Sequence, residues 1–309
     1  MSNLVVTKDF GNNITVQKYK KKVFYDNLWN TDAELMESRG KIKHDGKVIA
    51  LPFKKVFNYL ENDTSYPLNY TVCAVEKING FMFHVTAIES VQTSVDMQEA
   101  LKLDDIPYHV YGTTGSIDSD FVTMGKRALI KHNVNTNLIG KVEKELLKVK
   151  NLHTYIFEIK DNVNDPHIIF DEADGVYLLG VRDIVTGKLL HQYEVDELAK
   201  AINAKRPKWK NIVFGELLKE VKTVRHEGFV VYDLESNDAI LKLKSPFYTI
   251  KKWYMRRNND YVFRSNYKQL VDEEYYPVIK KIRKNHSEEE WMNLDKVAKG
   301  ELFEKYLSE

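Results

Sequence analysis

The sequence contains a single cysteine, Cys73, and it lacks several patterns that identify common classes of protein. One cysteine excludes an internal disulfide and fits a reducing compartment. No apolar run approaches the roughly 18 residues of a membrane-spanning helix, and the N-terminus shows no signal peptide. We therefore expect a cytoplasmic protein that binds no membrane. The nine histidines form no H-x-x-x-H or Cys/His cluster, which argues against a structural zinc site.

The net charge is also small, because 46 Lys and Arg stand against 45 Asp and Glu. Binding to nucleic acid cannot be inferred from such a total and would have to come from local patches. Apolar residues make up 43% and charged residues 29% of the 309 residues. This composition is typical of a folded globular protein, with one large domain plus a small one or with two domains.

Strand-like and helix-like segments are interspersed along the first 245 residues. They predict an α+β fold with a mostly antiparallel sheet. The predicted strands are 47–51, 71–76, 81–88, 154–159, 175–181, 227–234 and 239–245. The predicted helices are a short one beginning in 32–42, and 136–150, 194–202 and 214–222.

The composition changes after about residue 245. Residues 251–284 carry ten Lys or Arg and four acids, a net charge of 10 − 4 = +6, and seven aromatic residues. Ser287 and Glu290 match a capping box, and apolar residues follow at helical spacing from Trp291 to Leu302. We predict a small, mostly helical domain at 246–309. Its basic aromatic composition suits phosphate contact and base stacking, and it fits equally well a helical cap that covers apolar surface and has solvated charges.

The segment CAVEKINGFMFHV (73–85) places Lys77 and Gly80 between two predicted strands. Lys-x-x-Gly occurs three times, at Lys8, Lys43 and Lys77, so the spacing alone carries little information. Only Lys77 lies between strand-like runs. It fits a solvated turn, and it also fits a nucleophile.

Two other predicted strands contain charged residues in unusual places. Glu158 lies within the apolar segment TYIFEI, where a carboxylate is costly to bury without a partner or a ligand hydroxyl. Lys242 and Lys244 alternate with leucines, so both amines point to one face of their strand. That face is either the solvated side of an edge strand or a site that holds phosphate.

Taken in order, these residues resemble motifs of the covalent nucleotidyltransferases, the superfamily of DNA ligases, RNA ligases and mRNA capping enzymes. The four matching segments are 77–80, 157–158, 227–230 and 241–244. Further stretches are similar to the phage RNA ligase 1 family, the branch that repairs cut tRNA. They are ESRGKI (37–42), 51–61, GSIDS (115–119), 177–190 and 241–248. The resemblance covers roughly residues 35–250.

The resemblance implies an ATP-grasp-like nucleotidyltransferase domain at residues 1–245, with antiparallel sheets around an ATP site, before the helical domain at 246–309. It implies an ATP-dependent ligase that joins 5′-phosphate and 3′-hydroxyl RNA ends through lysyl-AMP and RNA-adenylate, in RNA or tRNA repair. The expected cofactors are ATP and Mg²⁺, with Mn²⁺ as an alternative metal. If the chain is phage-encoded, we expect a monomer in the host cytoplasm.

The resemblance also implies roles for the residues of the motifs. Lys77 would attack the α-phosphate of ATP, and nearby positive charge is expected to lower its pKa because only the free amine is a nucleophile. Gly80 would let the backbone approach the nucleotide, and Glu158 would accept hydrogen bonds from the ribose hydroxyls. Glu227, with Gly228 beside it, would hold the metal through water.

Phosphate contacts are expected from Lys242 and Lys244, which would bind the α-phosphate and the leaving group. Arg39 and Lys55 match family positions that touch phosphate. The chain departs from the family at Thr114, because the family commonly has a basic residue just before the Gly-Ser of GSIDS. The contact expected at that position is therefore in doubt.

Five further residues are assigned to the nucleotide pocket with less specific roles. Phe57 and Tyr248 match positions that support it. Leu179 and Val230 are candidates for sandwiching adenine, although each alone also fits an ordinary core residue. Glu76, next to the nucleophile, fits a site residue and a surface acid equally well.

Two other functions remain open from the sequence. A DNA ligase or capping enzyme would usually carry an oligonucleotide-binding barrel after the last motif, and 246–309 is too short and too helical for one. A nucleic-acid-binding protein without ligase activity could use the basic segment 251–284 for stacking and phosphate contact. It would leave Glu158 and the pair of lysines unexplained.

Overall fold

The computed structural model describes residues 4–88, 109–147, 152–169, 172–256 and 258–308. The strands are β1 (Val5–Asp9), β2 (Ile14–Tyr19), β3 (Arg39–His44), β4 (Lys47–Ala50), β5 (Phe57–Asn58), β6 (Thr71–Glu76), β7 (Phe81–Ala87), β8 (His109–Gly112), β9 (His153–Lys160), β10 (Gly175–Asp183), β11 (Trp209–Val213), β12 (Gly228–Asp233) and β13 (Ala239–Lys244). The helices are α1 (Lys21–Tyr25), α2 (Glu34–Glu37), α3 (Asp120–Lys131), α4 (Ile139–Val142), α5 (Gln192–Ala201), α6 (Phe214–Glu220), α7 (Pro246–Met255), α8 (Tyr267–Leu270), α9 (Tyr276–Asn285), α10 (Glu288–Asn293) and α11 (Lys296–Ser308). Shorter 3-10 turns and one π turn lie at Trp29–Thr31, Glu61–Asp63, Thr136–Leu138, Glu143–Leu147, Asn258–Tyr261 and Glu273–Tyr275. Within these ranges, no helix has both the length and the apolar character required to cross a membrane.

The described part of residues 4–244 contains three sheets with helices between their strands, in agreement with the predicted α+β class. Their strand orders are β1-β2-β3-β4, β10-β9-β7-β8 and β11-β6-β12-β13-β5. Neighbouring strands are antiparallel except β13 and β5, which run parallel. Every residue of β9 is buried, because this strand is central in its sheet and the largest apolar cluster packs against it. Glu158 therefore lies in the interior, as its place in an apolar strand predicted.

Helix α3 is absent from the sequence-based prediction. Its buried residues Val122, Gly125 and Leu129 follow a helical spacing of three and four, a signal that was present in the sequence. Gly125 packs so closely on β7 that a Cβ at this position would lie 2.3 Å from the ring of Phe83. The missing side chain at Gly125 thus allows the helix to lie against the sheet.

The predicted helix at 136–150 is only partly correct. The chain forms a 3-10 turn at Thr136–Leu138, the four-residue helix α4 and a π turn at Glu143–Leu147. Residues 148–150 lie outside the described part of the chain. The widened turn begins at Glu143, whose carboxylate is buried 3.6 Å from His153 Nδ1 on β9.

The C-terminal helices α7–α11 enclose their own apolar cluster, which is largely aromatic. Its buried rings include Trp253, Tyr275, Trp291 and Phe303. Of the seven aromatic residues in 251–276, only Tyr254 is exposed, at 42%. Two of the seven rings are buried and four are half-buried, so these residues help to build the core of a short helical segment. Their use as a stacking surface for bases stays a prediction.

The helix boundaries of this region follow the predicted capping signals. Ser287 Oγ accepts a hydrogen bond from the Glu290 amide at 3.2 Å, and the Ser287 amide donates to Glu290 Oε2 at 2.7 Å. The predicted capping box is therefore confirmed at the start of α10. The apolar spacing from Trp291 to Leu302 does not form one helix, because Leu294 is extended (φ −73°, ψ 142°) and separates α10 from α11.

The stability of the fold should depend on pH through His84, which is completely buried on β7 opposite Gly112. Burial lowers the pKa of His84 to about 4 from an ordinary 6.5. The unfolded chain takes up this proton near pH 6.5 and the folded protein only near pH 4, so the free energy of unfolding should fall as the pH falls through that window. The loss from this residue should reach about 3 kcal/mol at pH 4.

Urea unfolding of the wild type and of His84→Gln, at several pH values in that window, measures this contribution. The variant should lose about 3 kcal/mol of pH dependence relative to the wild type. His191→Gln, which replaces an exposed histidine on the surface, is the matched control. An equal pH dependence in the wild type and in His84→Gln would contradict the assignment.

Candidate active site

A cleft where the three sheets meet contains most of the predicted site residues. Those that line it are Arg39, Lys55, Glu76, Lys77, Glu158, Leu179, Val230 and Lys242. The predicted residues that do not line it are Phe57, Gly80, Glu227, Gly228, Lys244 and Tyr248. The lining residues that the sequence did not indicate are Tyr19, Phe24, Phe53, Val56, Val75, Ile78, Met82, Tyr232, Ala239 and Glu273. The structure therefore brings together segments that lie more than 200 residues apart.

Lys77 lies directly after β6, and its amide donates to the carbonyl oxygen of Gly228 at 2.9 Å. Its Nζ is 2.9 Å from Glu227 Oε1, and 22% of the side chain is exposed. Burial lowers the pKa of Lys77, but the negative charges of Glu227 and Glu158 outweigh burial and raise it above its ordinary value. The amine is thus held protonated beside a buried carboxylate.

The expectation that neighbouring charges lower the pKa of Lys77 is wrong for the protein's own groups. Lys244 does act in the expected direction, but the two carboxylates are stronger. Because only a free amine is nucleophilic, Lys77 would have to lose a proton before it could act as the predicted nucleophile. Any lowering of this pKa therefore has to come from a bound cation or from neutralisation of the carboxylates.

Glu227 immediately precedes β12, where the backbone is tightly packed. Gly228 has φ +129°, and a Cβ there would lie 1.9 Å from the carbonyl oxygen of Leu243 on β13. Only glycine fits this position. The close packing fixes the backbone next to Glu227, whose carboxylate contacts Lys77 Nζ. Burial raises the pKa of Glu227, but the charges of Lys77 and Lys244 outweigh it and lower the pKa below its ordinary range.

Asn79 is a site residue that the sequence analysis did not single out, although it lies within the Lys77–Gly80 segment. Its Nδ2 donates to Glu227 Oε2 at 2.7 Å, and its Oδ1 accepts from the Ile169 amide at 3.0 Å. Its own amide donates to Glu172 Oε2 at 2.9 Å. Asn79 thus connects the metal-site candidate Glu227 to the segment that follows β9.

Glu158 on β9 lies on the opposite side of the cleft from β12. Its Oε1 accepts a hydrogen bond from the Gly80 amide at 3.1 Å. A Cβ on Gly80 would lie 2.1 Å from the carbonyl oxygen of Ile159, so glycine is required for this contact. Burial raises the pKa of Glu158 to about 7. This carboxyl group is placed to hydrogen-bond a ligand hydroxyl and changes charge near neutral pH.

Lys242 and Lys244 lie on the same face of β13, as predicted, but in different surroundings. Lys242 lines the cleft, and burial, followed by the charges of Lys55 and Lys244, lowers its pKa to about 7. Lys244 forms an ion pair with Glu274. Burial lowers the pKa of Lys244, but Glu274 and Glu227 outweigh it and raise that pKa. The two lysines are therefore not equivalent.

Three consecutive acids of the C-terminal segment, Asp272, Glu273 and Glu274, pair with lysines in and beside the cleft. Asp272 contacts Lys252 at 2.7 Å. Glu273 lies 3.3 Å from Lys55, and Glu274 contacts both Lys244 and Lys252, the latter at 2.9 Å. The sequence analysis counted these acids only in a charge total. Their occurrence as three consecutive acids in a basic segment was the available signal. Phosphate groups entering the cleft would have to compete with these carboxylates.

The aromatic residues near Lys55 explain the position of Phe57. Lys55 Nζ lies 5.0 to 5.2 Å from the ring centres of Phe24, Trp29 and Phe57. These contacts hold the ammonium group by cation–π attraction. Phe57 thus orients Lys55 and does not line the cleft, while Phe24 does.

The remaining predicted pocket residues have distinct positions. Leu179 on β10 and Val230 on β12 both line the cleft from different sheets, as a sandwich around a flat ring requires. Tyr248 is 4% exposed and packs with Ile168 and Ile169. Its ring centre is 5.4 Å from Lys244 Nζ. Tyr248 therefore supports the site from the protein interior and does not line the cleft.

No group of three or more His, Cys, Asp or Glu side chains suited to a metal occurs among the described residues. Mg²⁺ is commonly held by one or two carboxylates together with water and substrate phosphates. The ionised, buried Glu227 beside the cleft fits that kind of site. The donor set is thus suited to a cation that arrives with a phosphate-bearing ligand.

The chain is similar to known proteins in sequence and in fold. A family model described as RNA ligase matches residues 35–276. The fold resembles two solved structures of an archaeal ATP-dependent RNA ligase. For form 1 the TM-score is 0.57 at 13% identity, covering 99% of this chain and 72% of that one. For form 2 it is 0.54 at 11% identity, covering 98% and 72%. At these identities the likeness shows the fold.

A curated relative is similar over a shorter stretch. The RecBCD enzyme subunit RecB of Buchnera aphidicola subsp. Baizongia pistaciae is 24% identical over 145 residues, which are 46% of this chain and 11% of that protein. The aligned stretch is thus about a ninth of that protein's length.

Proposed function

The chain belongs to the RNA ligase family, and we propose that it is an ATP-dependent RNA ligase that joins 5′-phosphate to 3′-hydroxyl ends. The resemblance to the phage RNA ligase 1 family is thereby confirmed, and with it the assignment to an enzyme class. The observation that carries the proposal is the Lys77 amine, 2.9 Å from the buried Glu227 carboxylate at the cleft. Arg39, Lys55 and Lys242 line the same cleft and suit a polyanionic substrate.

In the first step, Lys77 Nζ forms a bond to the α-phosphorus of ATP as the bond to pyrophosphate breaks. The amine must first give up a proton, and Glu227 is the carboxylate in contact with it. Leu179 and Val230 hold the adenine ring, and Glu158 accepts hydrogen bonds from the ribose. Lys242 and Lys244 balance the negative charge that develops on the phosphates.

In the second step, a 5′-phosphate oxygen of RNA attacks the AMP phosphorus, and Lys77 leaves as an amine. In the third, a 3′-hydroxyl attacks the 5′-phosphate, a phosphodiester forms and AMP leaves. Each step is a phosphoryl transfer that requires positioning and charge neutralisation. Glu227 would hold a divalent cation, Mg²⁺ or Mn²⁺, which supplies charge neutralisation when bound.

We further propose that residues 1–245 form the nucleotidyltransferase domain and that 246–309 contribute to RNA recognition. Six Lys or Arg side chains on or near α7–α9 are exposed and offer phosphate contacts: Arg256, Arg264, Lys268, Lys280, Arg283 and Lys284. Salt-dependent phosphate contact, not aromatic stacking, is the contribution that this basic segment supports. The substrate class is RNA with cut ends, tRNA included, and the enzyme would act as a monomer in the cytoplasm.

The first test is incubation with α-labelled ATP and Mg²⁺, followed by a denaturing gel. The wild type should retain label, because a phosphoramidate to Lys77 survives denaturation, and addition of excess EDTA beforehand should abolish the labelling. A 5′-phosphorylated RNA and nicked tRNA should then be sealed, and a nicked DNA duplex should be sealed poorly.

Each competing function predicts a different result. A nucleic-acid-binding protein without ligase activity would take no label. A capping enzyme would take its label from GTP in place of ATP, and would transfer the nucleotide to a 5′-diphosphate end without sealing. A DNA ligase would seal the DNA nick in preference to RNA. Any of these three outcomes would overturn the proposal.

A further inference from the structure

Residues 113–116 form a tight turn against the edge of the cleft. The Thr113 amide donates to the Ser116 carbonyl oxygen at 2.9 Å, which closes the turn. Gly40 on β3 lies directly beneath it with φ +93°, and a Cβ there would be 2.5 Å from the Thr113 carbonyl oxygen. The side chain of Thr114 is exposed and carries no charge. The turn therefore brings backbone and a neutral side chain to the edge of the cleft.

Lys18 on β2 covers this turn. A Cβ placed on Gly115 would lie 3.1 Å from Lys18 Cδ and 3.6 Å from Lys18 Nζ. The glycine thus leaves room for the lysine side chain, and the amine is located beside Thr114 and Gly115. A different basic candidate near the turn, Lys126, has its Nζ 4.9 Å from the ring centre of Tyr111, so its amine packs on that ring.

The pairing of β2 with β3 places Lys18 opposite Arg39. Gln17 pairs with Lys41 and Lys18 pairs with Arg39, so the register shifts at Gly40. Such a bulge re-aims a side chain and is common beside active sites. Residues directly opposite each other on antiparallel strands share a face, and Arg39 lines the cleft. Lys18 and Arg39 are therefore neighbours at its edge.

Two like charges placed opposite each other on a sheet destabilise it unless an anion lies between them. Neither Lys18 nor Arg39 forms an ion pair with any residue in the described ranges. Lys55 and Lys244, in contrast, have carboxylate partners. Arg39 acts electrostatically on Glu158 and donates to Met82 Sδ at 3.8 Å, whereas Lys18 is exposed. The positive charge of Lys18 beside Arg39 suits a phosphate group.

We propose that Lys18 is a phosphate-binding residue of the ligase, which supplies from β2 the positive charge that Thr114 lacks. The inference rests on the proposed function, and the ligand is a phosphate of the substrate. Two substrates carry such a group, since ATP has terminal phosphates and RNA has a 5′-phosphate. The two can be distinguished, because ATP reacts in the first step and the RNA 5′-phosphate in the second.

Lys18→Ala tests the inference in the full-length protein. If Lys18 binds the terminal phosphates of ATP, KM for ATP in lysyl-AMP formation should rise by about tenfold, the value of one charge-assisted contact. The concentration of pyrophosphate that discharges the labelled enzyme should rise similarly. If it binds the RNA 5′-phosphate, labelling should be unchanged, and transfer of AMP to 5′-phosphorylated RNA should weaken by about tenfold.

The double variant Lys18→Ala/Thr114→Lys is the decisive control, since it returns an amine to the same place from the turn. It should recover most of the lost affinity. Lys47→Ala removes an exposed lysine from β4 of the same sheet and should change neither constant. Unfolding midpoints of all variants should match that of the wild type, because each altered side chain is exposed.

The possible results separate the two levels of the proposal. A wild-type protein that takes no label overturns the proposed function and this inference with it. A labelled wild type whose two steps change less than twofold in Lys18→Ala overturns the role of Lys18 alone. A loss in Lys18→Ala that Thr114→Lys does not recover would mean that the lysine acts through the structure of the strand pair, and would also overturn the inference.

Discussion

Lys77→Ala should abolish the transfer of AMP from ATP to the protein. Lys77 is the amine that combines contact with Glu227, a place in the cleft and a connection to β12 through the Gly228 carbonyl. Loss of a covalent nucleophile removes the intermediate itself, so labelling should fall by at least about 1,000-fold. Gel autoradiography after incubation with α-labelled ATP and Mg²⁺ measures this.

Lys77→Arg provides a matched variant that keeps a positive charge beside Glu227 and so protects the fold. A guanidinium group stays protonated and does not act as a nucleophile, so this variant should also remain unlabelled. Lys43→Ala, which alters another Lys-x-x-Gly segment on β3, should label like the wild type. Label that persists in Lys77→Ala would show that a different residue is the nucleophile.

Lys244→Ala should unfold more easily than the wild type, whereas Lys242→Ala should lose activity with little change in stability. Lys244 is one partner of a buried ion pair with Glu274, and it also lowers the pKa of Glu227. Removal of one partner from such a pair costs about 3 kcal/mol or more, because a buried charge is left uncompensated. Urea unfolding of the two variants measures the difference.

Lys242 has the opposite character, since its pKa is lowered to about 7 by burial and by the charges of Lys55 and Lys244. Removing it relieves repulsion between like charges, so the fold should tolerate the change. Adenylation should fall by about 10- to 100-fold from the loss of one phosphate contact. Equal effects of the two substitutions on stability and on adenylation would show that the lysines act as an equivalent pair.

Most of the site residues could be predicted from the sequence, because they lie in short segments that are recognisable on their own. Lys77, Glu158, Glu227, Lys242 and Arg39 each stand at a recognisable position in a strand or turn, and the order of those segments carried the resemblance. A charged residue in an apolar strand is costly, so its presence pointed to a site.

The remaining site residues could not be predicted because their roles depend on contacts between distant segments. Glu273 is 218 residues from Lys55, and nothing local in 272–274 shows that these acids face the cleft. The roles of the aromatic residues of 251–276 could not be assigned from the sequence for a related reason. Stacking surfaces and small helical cores use the same residue types, and burial decides between them.

Secondary structure was likewise predictable where local residues determine it, and not where distant segments meet. Strands β12 and β13 and the capping box at Ser287 are determined by local residues and were predicted. The bulge at Gly40 arises where β2, β3 and the 113–116 turn meet, and its positive φ is required by that packing. A glycine in the sequence does not by itself show which neighbour it accommodates.

The acids at 272–274 have a consequence for any attempt to exchange parts of this enzyme. Because Glu273 and Glu274 are counter-ions to Lys55 and Lys244, the C-terminal helices complete the charge balance of the nucleotide cleft. A chimaera that joined residues 1–245 to an unrelated RNA-binding module would keep the ion pair of Lys55 with Glu61. It would lose the ion pairs of Lys55 with Glu273 and of Lys244 with Glu274. Such a chimaera would need acidic residues of its own at the junction. Without them, anions from the solution would bind to the lysines of the cleft.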